Sequence, residues 1–283
     1  GMKAFKWQDG SIRTFRPAFN AARLNNSARR MAMPQIDLDD FIGSLVQLVR
    51  QDSRWVPDTE DASLYLRPFM FADEAYVGIR PSHHYKYLVI GSPVGPYFKG
   101  GLSPVSIWVS TDHNRAAPGG TGAAKTGGNY AASLLPQQLA SEKGFEQVCY
   151  LDPATGTNLE ELGGMNVFVI RKDGSALTPK LTGTILEGGT RSAIIQLLTD
   201  AGVPVKETAI PLDWLVEAIR FGEVTEMFAC GTAAVVTPIS QLAGERFDVT
   251  LEETAVGDAV LAELSGIQRG TIPDRHGWMY RLA

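Results

Sequence analysis

The least ordinary stretch of this 283-residue chain reads Gly119-Gly120-Thr121-Gly122-Ala123-Ala124-Lys125-Thr126-Gly127-Gly128-Asn129-Tyr130. Five glycines surround Lys125, and no acidic residue stands next to it. A lysine among small neutral residues lacks carboxylate partners, so its charged form is easier to lose, which favours a lysine that forms a Schiff base. The alternative is a flexible surface loop with a solvated lysine, and composition alone favours that interpretation.

A nucleotide phosphate loop, GxxxxGK[ST], is another alternative for the same stretch. Counted from Gly119, the pattern fails at one residue, because Ala124 stands in the place of its second glycine. Pro118 interrupts the approach, and the preceding predicted strand ends near Ser110, well before the loop. The glycines after the lysine would also weaken the helix that has to face the phosphates, so we rank a nucleotide-binding enzyme last.

Three further segments place polar groups beside glycines. In Glu187-Gly188-Gly189-Thr190-Arg191 we expect Thr190 to cap a helix that starts at Ser192, with N–H groups turned towards an anion. The turn in Phe228-Ala229-Cys230-Gly231-Thr232-Ala233-Ala234 either exposes two N–H groups and a hydroxyl or is an ordinary β-bulge. The pair Glu160-Glu161 precedes a Gly-Gly bend, and adjacent glutamates are more commonly a solvated surface pair.

Composition and charge limit the classes of function. Hydrophobic residues make up 44% and charged residues 20%, as in a folded globular protein. The net charge of −5 lacks the basic excess of a nucleic-acid-binding protein. Two cysteines and four histidines show no disulfide or metal-ligand pattern, so we expect no metal site and a reducing, cytoplasmic location. The longest uncharged stretch, 227–244, is interrupted by polar residues and no secretory leader is visible, so we expect no membrane span.

The order of predicted elements indicates two domains of α/β or α+β class. We assign 1–98 to a first domain, 99–105 to an interdomain loop rich in glycine, and 106–283 to a larger second domain. Helical periodicity predicts helices over 21–33, 37–49, 192–201, 213–220 and 255–267. A hairpin is predicted around Asp9-Gly10, and apolar runs predict strands over 64–70, 85–90, 105–110, 166–171 and 227–237.

In their order along the chain, the lysine segment and three later motifs resemble the branched-chain amino-acid aminotransferases, which are fold-type IV pyridoxal-phosphate enzymes. The three motifs are Glu161-Leu162-Gly163-Gly164-Met165-Asn166, Gly188-Gly189-Thr190-Arg191 and Phe228…Gly231-Thr232-Ala233. Flanking likeness covers Gly1-Met2-Lys3-Ala4-Phe5, Phe15-Arg16-Pro17…Asn20…Arg23, Leu64-Tyr65-Leu66-Arg67-Pro68, 92–98 and Ile267-Gln268-Arg269-Gly270…His276-Gly277-Trp278-Met279. The resemblance implies a small N-terminal α/β domain and a larger C-terminal domain built on a mixed sheet or pseudo-barrel.

The resemblance implies pyridoxal 5′-phosphate as the cofactor and a role for each site residue. Lys125 would be joined to the cofactor aldehyde and would carry the proton of the reaction. Glu161 would hold the pyridinium nitrogen protonated, and Tyr130 would donate to the ring oxygen. The implied phosphate ligands are Arg23, the N–H groups of Gly189 and Thr190, and Thr232.

The resemblance also implies the substrates. The N–H groups of Thr232 and Ala233 would bind the α-carboxylate, and Tyr65 and Arg67 would meet the substrate side chain. An arginine at the rim of an apolar pocket binds the γ-carboxylate of glutamate and lies aside for leucine. The enzyme would therefore exchange amino groups between leucine, isoleucine or valine and 2-oxoglutarate by ping-pong kinetics. Gly164, where some relatives have threonine, would widen the pocket slightly. A homodimer is implied, with amino acids and 2-oxo acids as the small-molecule partners.

Some features set this chain apart from the family pattern. Residues 234–237 stand where some relatives carry a redox-sensing CxxC, so we expect no such switch and a buried Cys230. Relatives usually carry several dozen residues ahead of the segment at Gly1, so we expect a small domain without its N-terminal part. The alternatives are a D-amino-acid aminotransferase, an aminodeoxychorismate lyase, or a cofactor-binding fragment with little activity.

Overall fold

The structure, a computed structural model, describes residues 1–59, 61–95 and 103–283. The chain divides into two compact units, one of Gly1–Lys99 with Glu263–Ala283 and one of Gly100–Ala262. Of the interdomain loop expected over 99–105, residues 99–102 lie outside the described residues, as do residues 96–98 of the flanking likeness.

The first unit is built on an antiparallel sheet. Its described strands are β1 (Met2–Lys6), β2 (Ile12–Phe15), β3 (Ser63–Ala72), β4 (Tyr85–Val94) and β14 (Met279–Arg281). Its helices are α1 (Pro17–Arg30) and α2 (Leu38–Gln51), followed by a 3₁₀ turn at Ser53–Trp55. The described strands lie in the order β14–β2–β1–β3–β4. The predicted hairpin is confirmed, because β1 and β2 pair antiparallel and Gly10 adopts the left-handed φ of 80° that its turn requires.

The core of the first unit forms where α2 packs on the sheet. Phe41, Leu45 and Val49 recur at the four-residue spacing of one helix face, and all three are buried against Leu64 and Leu66 of β3. Removal of each large side chain from water stabilises the fold by about 1.5–3 kcal/mol. The helix predicted over 37–49 is therefore confirmed, and it extends to Gln51.

The C-terminal segment belongs to the first unit, which corrects its assignment to a second domain of 106–283. β14 pairs antiparallel with β2, with Met279 opposite Phe15. The Ile12 N–H donates to the Ala283 carbonyl at 3.0 Å, and Leu282 is buried in the same core as α2. A strand that covers a distant sheet edge is held by long-range pairing, which local periodicity does not reveal.

The second unit is built on a mixed sheet. Its described strands are β5 (Val105–Ser110), β6 (Gln147–Leu151), β7 (Leu159–Leu162), β8 (Asn166–Arg171), β9 (Ala176–Pro179), β10 (Val205–Thr208), β11 (Val224–Gly231), β12 (Val235–Gly244) and β13 (Phe247–Thr250). Its helices are α3 (Gly127–Ala131), α4 (Leu134–Glu142), α5 (Gly189–Asp200), α6 (Leu212–Arg220) and the first part of α7 (Ala255–Arg269).

Parallel and antiparallel pairs are both present in this sheet. The described strands lie in the order β10–β9–β8–β11–β12–β5–β6–β7, with β13 on β12. β9 and β10, β5 and β12, and β5 and β6 are parallel pairs, whereas β11 is antiparallel to both of its neighbours, β8 and β12. The expected α/β class with a mixed sheet is confirmed.

Continuous apolar runs place β8 and β11 at the centre of the second unit. Phe168 and Phe228 lie opposite each other on these strands, with ring centroids 5.1 Å apart, and both are fully buried. Unbroken apolar strands are typical of a sheet covered on both faces. The run predicted as one strand over 227–237 is a hairpin instead, because the chain turns at residues 232–234 between β11 and β12.

Candidate active site

Asn129 folds the glycine-rich stretch into a compact loop. Its side-chain amide donates to the carbonyl oxygens of Thr121 and Ala124, each at 2.8 Å, and accepts from the Thr121 hydroxyl at 2.8 Å. A methyl group on Gly122 would overlap the Thr184 carbonyl oxygen, so this position has room only for glycine. Contacts with the Asn129 side chain and with the backbone of Thr184 therefore hold the loop, and it leads directly into α3.

Lys125 and Tyr130 meet at the edge of this loop. The Lys125 Nζ donates to the Tyr130 hydroxyl and lies 5.0 Å from the centre of the tyrosine ring. Both side chains are exposed in the chain by itself. The phosphate-loop alternative gains no support, since β5 ends at Ser110 and α3 after the lysine has only 5 residues.

Glu161 is a buried carboxylate that accepts hydrogen bonds from several groups around it. Its side chain is 4% exposed, and Oε1 accepts from the Arg115 guanidinium at 2.6 Å and from the Leu186 N–H at 2.8 Å. Oε2 makes a long contact with the Asn166 amide nitrogen at 3.5 Å. Burial raises the pKa of Glu161 to about 7, while the charge of Arg115, the Leu186 N–H and the charge of Lys125 oppose the rise.

Glu160 and Glu161 are both buried, so the interpretation as a solvated surface pair is wrong. Glu160 accepts from the Thr184 hydroxyl at 2.5 Å and from the Thr182 hydroxyl at 3.3 Å. Burial raises the pKa of Glu160, and these hydroxyls and Arg115 oppose it. Neighbouring strand residues face opposite sides of a sheet, and here both sides are covered. The two carboxylates therefore anchor the segment around 182–186 from different directions.

The Gly-Gly motif before α5 forms a helix N-terminus next to Asn166. α5 begins at Gly189 with Gly188 as its N-cap, which corrects the expectation that Thr190 is the cap of a helix from Ser192. A methyl group on Gly188 would overlap the Asn166 side-chain oxygen, so glycine permits this approach. Thr190 lies in the first turn, where backbone N–H groups and the helix dipole favour an anion.

The Gly-Thr motif is the tight turn between β11 and β12. Gly231 pairs with Val235, and Thr232 and Ala233 lie in the turn between them. Val235 has a left-handed φ of 60°, which is strained for a β-branched residue. The β-bulge interpretation of this motif is therefore replaced by a hairpin turn. Cys230 just before it is buried, as expected, and burial raises the pKa of its thiol to about 12.

Glycines bring the separate motifs of the second unit together. A methyl group on Gly164 would lie 3.8 Å from the Tyr130 ring, and one on Gly231 would lie 3.6 Å from the Gly164 carbonyl oxygen. Asn166 links Glu161 to the segment before α5, because its amide also donates to the Leu186 carbonyl at 3.1 Å. The lysine loop, the Glu161 strand, the α5 N-terminus and the hairpin turn are thus connected through contacts within one unit.

Arg23, Tyr65 and Arg67 belong to the first unit. Arg23, on α1, donates to the Asn20 side-chain oxygen at 3.1 Å. Asn20 in turn donates to the Arg16 carbonyl at 3.0 Å. Arg67 donates to the Tyr65 hydroxyl at 3.3 Å on β3, and its guanidinium lies 5.2 Å from the tyrosine ring. The two residues expected to meet a substrate side chain are thus in contact with each other, on an exposed part of the strand.

Sequence reasoning missed Arg115 and Asn129 as organising residues. Arg115 is surrounded in sequence by nothing that marks it as buried, and Asn129 stands out only as a member of the lysine motif. No group of acidic, histidine or cysteine side chains in the described residues could hold a metal ion. Within residues 1–59, 61–95 and 103–283, every helix is too short or too polar to cross a membrane.

Comparisons with known proteins match the whole chain. A Mycolicibacterium smegmatis protein named branched-chain-amino-acid aminotransferase is 52% identical, over 100% of this chain and 78% of its own length. The crystal structure of the Escherichia coli branched-chain amino acid aminotransferase is 26% identical with a TM-score of 0.83, over 100% of this chain and 88% of that one. The Thermobaculum terrenum branched-chain amino acid aminotransferase in its PLP form, at 21% identity and a TM-score of 0.76 over the same shares, has the same fold.

The resemblance inferred from the motifs is confirmed by these matches. The family described as amino-transferase class IV matches residues 3–242, which include the lysine loop, the buried Glu161, the α5 N-terminus and the hairpin turn. Both the similar relatives and the shared mixed-sheet fold lead to one assignment. The chain belongs to the class IV aminotransferase family.

Proposed function

We propose that this protein is a pyridoxal-phosphate-dependent aminotransferase that exchanges amino groups between branched-chain L-amino acids and 2-oxoglutarate. The observation that carries the proposal is the Lys125–Tyr130 contact in the same unit as the buried, arginine-paired Glu161. The name of the 52%-identical relative supports the branched-chain substrates. The Thermobaculum terrenum structure in its PLP form supports the cofactor class.

The side chains of the second unit fit pyridoxal phosphate. Glu161 Oε2 makes a long 3.5 Å contact with Asn166, so this oxygen retains capacity to accept an N–H from a pyridinium ring. The α5 N-terminus at Gly189 and Thr190 suits a phosphate dianion. An amine and a phenol in contact suit an aldehyde and its neighbouring ring oxygen. When bound, the cofactor supplies an aldehyde that carries amino groups and a ring that withdraws electrons from the substrate α-carbon.

We infer a role in the reaction for each of the following side chains of the protein. Lys125 Nζ takes a proton from the substrate α-carbon and returns one later, and the Tyr130 hydroxyl orients that amine. The Glu161 carboxylate holds a proton on the ring nitrogen. The proposed phosphate ligands are Arg23, Gly189, Thr190 and Thr232.

A separate set of residues accounts for the choice of substrate. We infer that the N–H groups of Thr232 and Ala233 bind the α-carboxylate, which both kinds of substrate share. Gly164 leaves space beside Tyr130, since even a methyl group there would stay 3.8 Å from the ring. Tyr65 provides a phenol and Arg67 a guanidinium, and these groups distinguish a substrate with a γ-carboxylate from one with an aliphatic side chain.

Absorption spectroscopy tests the cofactor assignment. The purified chain with pyridoxal phosphate should be yellow, and Lys125→Ala should lose the near-visible band that depends on a covalent lysine link. Lys172→Ala, at an exposed lysine of the same unit, is the matched control and should keep the band. A wild-type chain that stays colourless after incubation with the cofactor would contradict the proposal.

A substrate screen tests the specificity. L-Leucine, L-isoleucine and L-valine should each convert the yellow form to the amino form, and 2-oxoglutarate should restore it. Conversion by D-alanine in preference to L-leucine would instead identify a D-amino-acid aminotransferase. Binding without conversion by any amino acid would identify a cofactor-binding fragment, and release of pyruvate from aminodeoxychorismate would identify the lyase.

The proposal includes a homodimer in the cytoplasm. Val77 and Ile79, between β3 and β4, are fully exposed apolar residues of the kind that a second copy would cover. Cys149 and Cys230 are buried free thiols, which fits a reducing compartment. Light scattering of the purified chain should give twice the monomer mass.

A further inference from the structure

Arg115 is a buried arginine whose guanidinium contacts three different segments of the second unit. Its side chain is 7% exposed and pairs with Glu161 Oε1 at 2.6 Å. The same nitrogen donates to the Gly122 carbonyl at 3.1 Å and to the Thr184 carbonyl. Arg115 therefore joins the lysine loop, the Glu161 strand and the segment after β9.

The contacts of Arg115 orient the Glu161 carboxylate, whereas a buried ion pair in a core can serve stability alone. Glu161 Oε1 is engaged by both Arg115 and the Leu186 N–H, whereas Oε2 makes the long 3.5 Å contact with the Asn166 amide. The Gly122 and Thr184 carbonyls contact the same guanidinium nitrogen, so backbone groups of two further segments help to hold it beside the carboxylate. An uncompensated carboxylate at this depth would take up a proton instead of staying ionised.

We propose that Arg115 is a positioning residue that favours the ionised form of Glu161 and directs its second oxygen towards the ring nitrogen of the cofactor. The inference rests on the proposed function, in which that carboxylate meets the ring nitrogen of pyridoxal phosphate. A neutral glutamic acid could not hold a proton on the ring nitrogen, so loss of Arg115 would weaken both cofactor binding and turnover.

Several ionisable groups near Glu161 influence its titration, so the experiment has to distinguish its signal from theirs. Arg115 and Lys125 favour its ionised form, and Glu160 disfavours it. Cys149 and Cys230 are buried thiols that also lie within electrostatic range of it. Since Glu160 is a buried carboxyl too, the signal of Glu161 has to be isolated by subtraction of Glu161→Gln.

Infrared spectroscopy of the full chain labelled with 13C-glutamate gives a direct readout. The band of the protonated carboxyl is followed from pH 5 to 9, first without and then with pyridoxal phosphate, and the spectrum of Glu161→Gln is subtracted. In Arg115→Met the Glu161 midpoint should rise by at least about one pH unit, which is a tenfold change in its proton affinity. Arg115→Lys, which retains the charge, should stay within about half a unit of wild type.

Each outcome decides the proposal. An unchanged Glu161 midpoint in Arg115→Met would overturn it, whatever the effect on activity. If Arg115→Met does not fold, the double variant with Glu161→Gln replaces it. Folding of that double variant supports a role through Glu161, whereas failure to fold while Glu161→Gln alone folds would overturn it.

A measurement of pyridoxal-phosphate binding distinguishes failure of this inference from failure of the proposed function. Arg115→Met should bind pyridoxal phosphate at least about tenfold more weakly than wild type, with the loss largely recovered in Arg115→Lys. A wild-type chain that does not bind the cofactor contradicts the proposed function, and the carboxyl titration without cofactor still reports on the Arg115–Glu161 pair.

Discussion

Asn129 and Thr121 are joined by a reciprocal pair of hydrogen bonds. The Thr121 hydroxyl donates to Asn129 Oδ1 at 2.8 Å, and Asn129 Nδ2 donates to the Thr121 carbonyl at 2.8 Å. A further bond at 2.8 Å reaches Ala124, the residue before Lys125. The position of the proposed catalytic amine therefore depends on a buried amide four residues after it.

Asn129→Ala should destabilise the chain by about 2–4 kcal/mol, because it removes the three hydrogen bonds that the buried side-chain amide makes with Thr121 and Ala124. Urea denaturation measures the change in the free energy of unfolding. Asn26→Ala removes an exposed acceptor of Arg29 on α1 and should stay within about 0.5 kcal/mol of wild type. Equal losses in the two variants would show that Asn129 does not organise the loop.

Gly122→Ala should lower stability by about 1–3 kcal/mol, because its methyl group would meet the backbone of Thr184 and not a movable side chain. For a unit of this size, each kcal/mol corresponds to about 2–4 °C in Tm. Gly43→Ala, at an open position in α2, is the matched control and should raise Tm slightly through better helix propensity. A Gly122→Ala variant as stable as wild type would refute the close approach to Thr184.

Glu161→Gln should change how the stability of the cofactor-free chain depends on pH. Because burial raises the folded-state pKa of Glu161 from 4.5 to about 7, its favourable contribution is complete below about pH 4.5 and is lost as pH rises through 7. Glutamine does not ionise, so the variant should gain on wild type between these pH values. The gain should approach about 3 kcal/mol by pH 8.

Denaturation of both proteins at pH 5, 6, 7 and 8 measures this difference. Glu252→Gln, at an exposed position, controls for the loss of one carboxylate from the surface. A difference between Glu161→Gln and wild type that is constant over this range would mean that Glu161 does not titrate there.

Glu226→Ala should weaken the start of α7. Glu226 is buried, and its carboxylate accepts from the Val256 N–H at 2.9 Å and the Gly257 N–H at 2.5 Å, both in the first turn of that helix. Loss of this cap leaves two N–H groups unsatisfied and should cost about 1–3 kcal/mol. Glu253→Ala, at an exposed glutamate just before α7, should be nearly neutral in the same thermal melt.

Local patterns predicted the elements that bury one face. The spacing of Phe41, Leu45 and Val49 is sufficient to define α2, and the Asp9-Gly10 turn is sufficient to define its hairpin. The predicted start of α5 was wrong by three residues, because Gly188 serves as an N-cap through its close approach to Asn166, 22 residues earlier. Periodicity carries no information about such a contact.

The order and residue types of four motifs were sufficient to indicate the family, and that resemblance singled out Lys125 and Glu161 as the proposed cofactor residues. These properties are local, because the spacing of glycines and the absence of acidic neighbours around a lysine can be read from a short segment of sequence. Only the tertiary structure decided that Glu161 is buried, that Arg115 is its partner, and that the last 21 residues complete the first unit. Burial and ion pairing arise from contacts between distant segments, and the cost of a charge depends on those surroundings rather than on its neighbours in sequence.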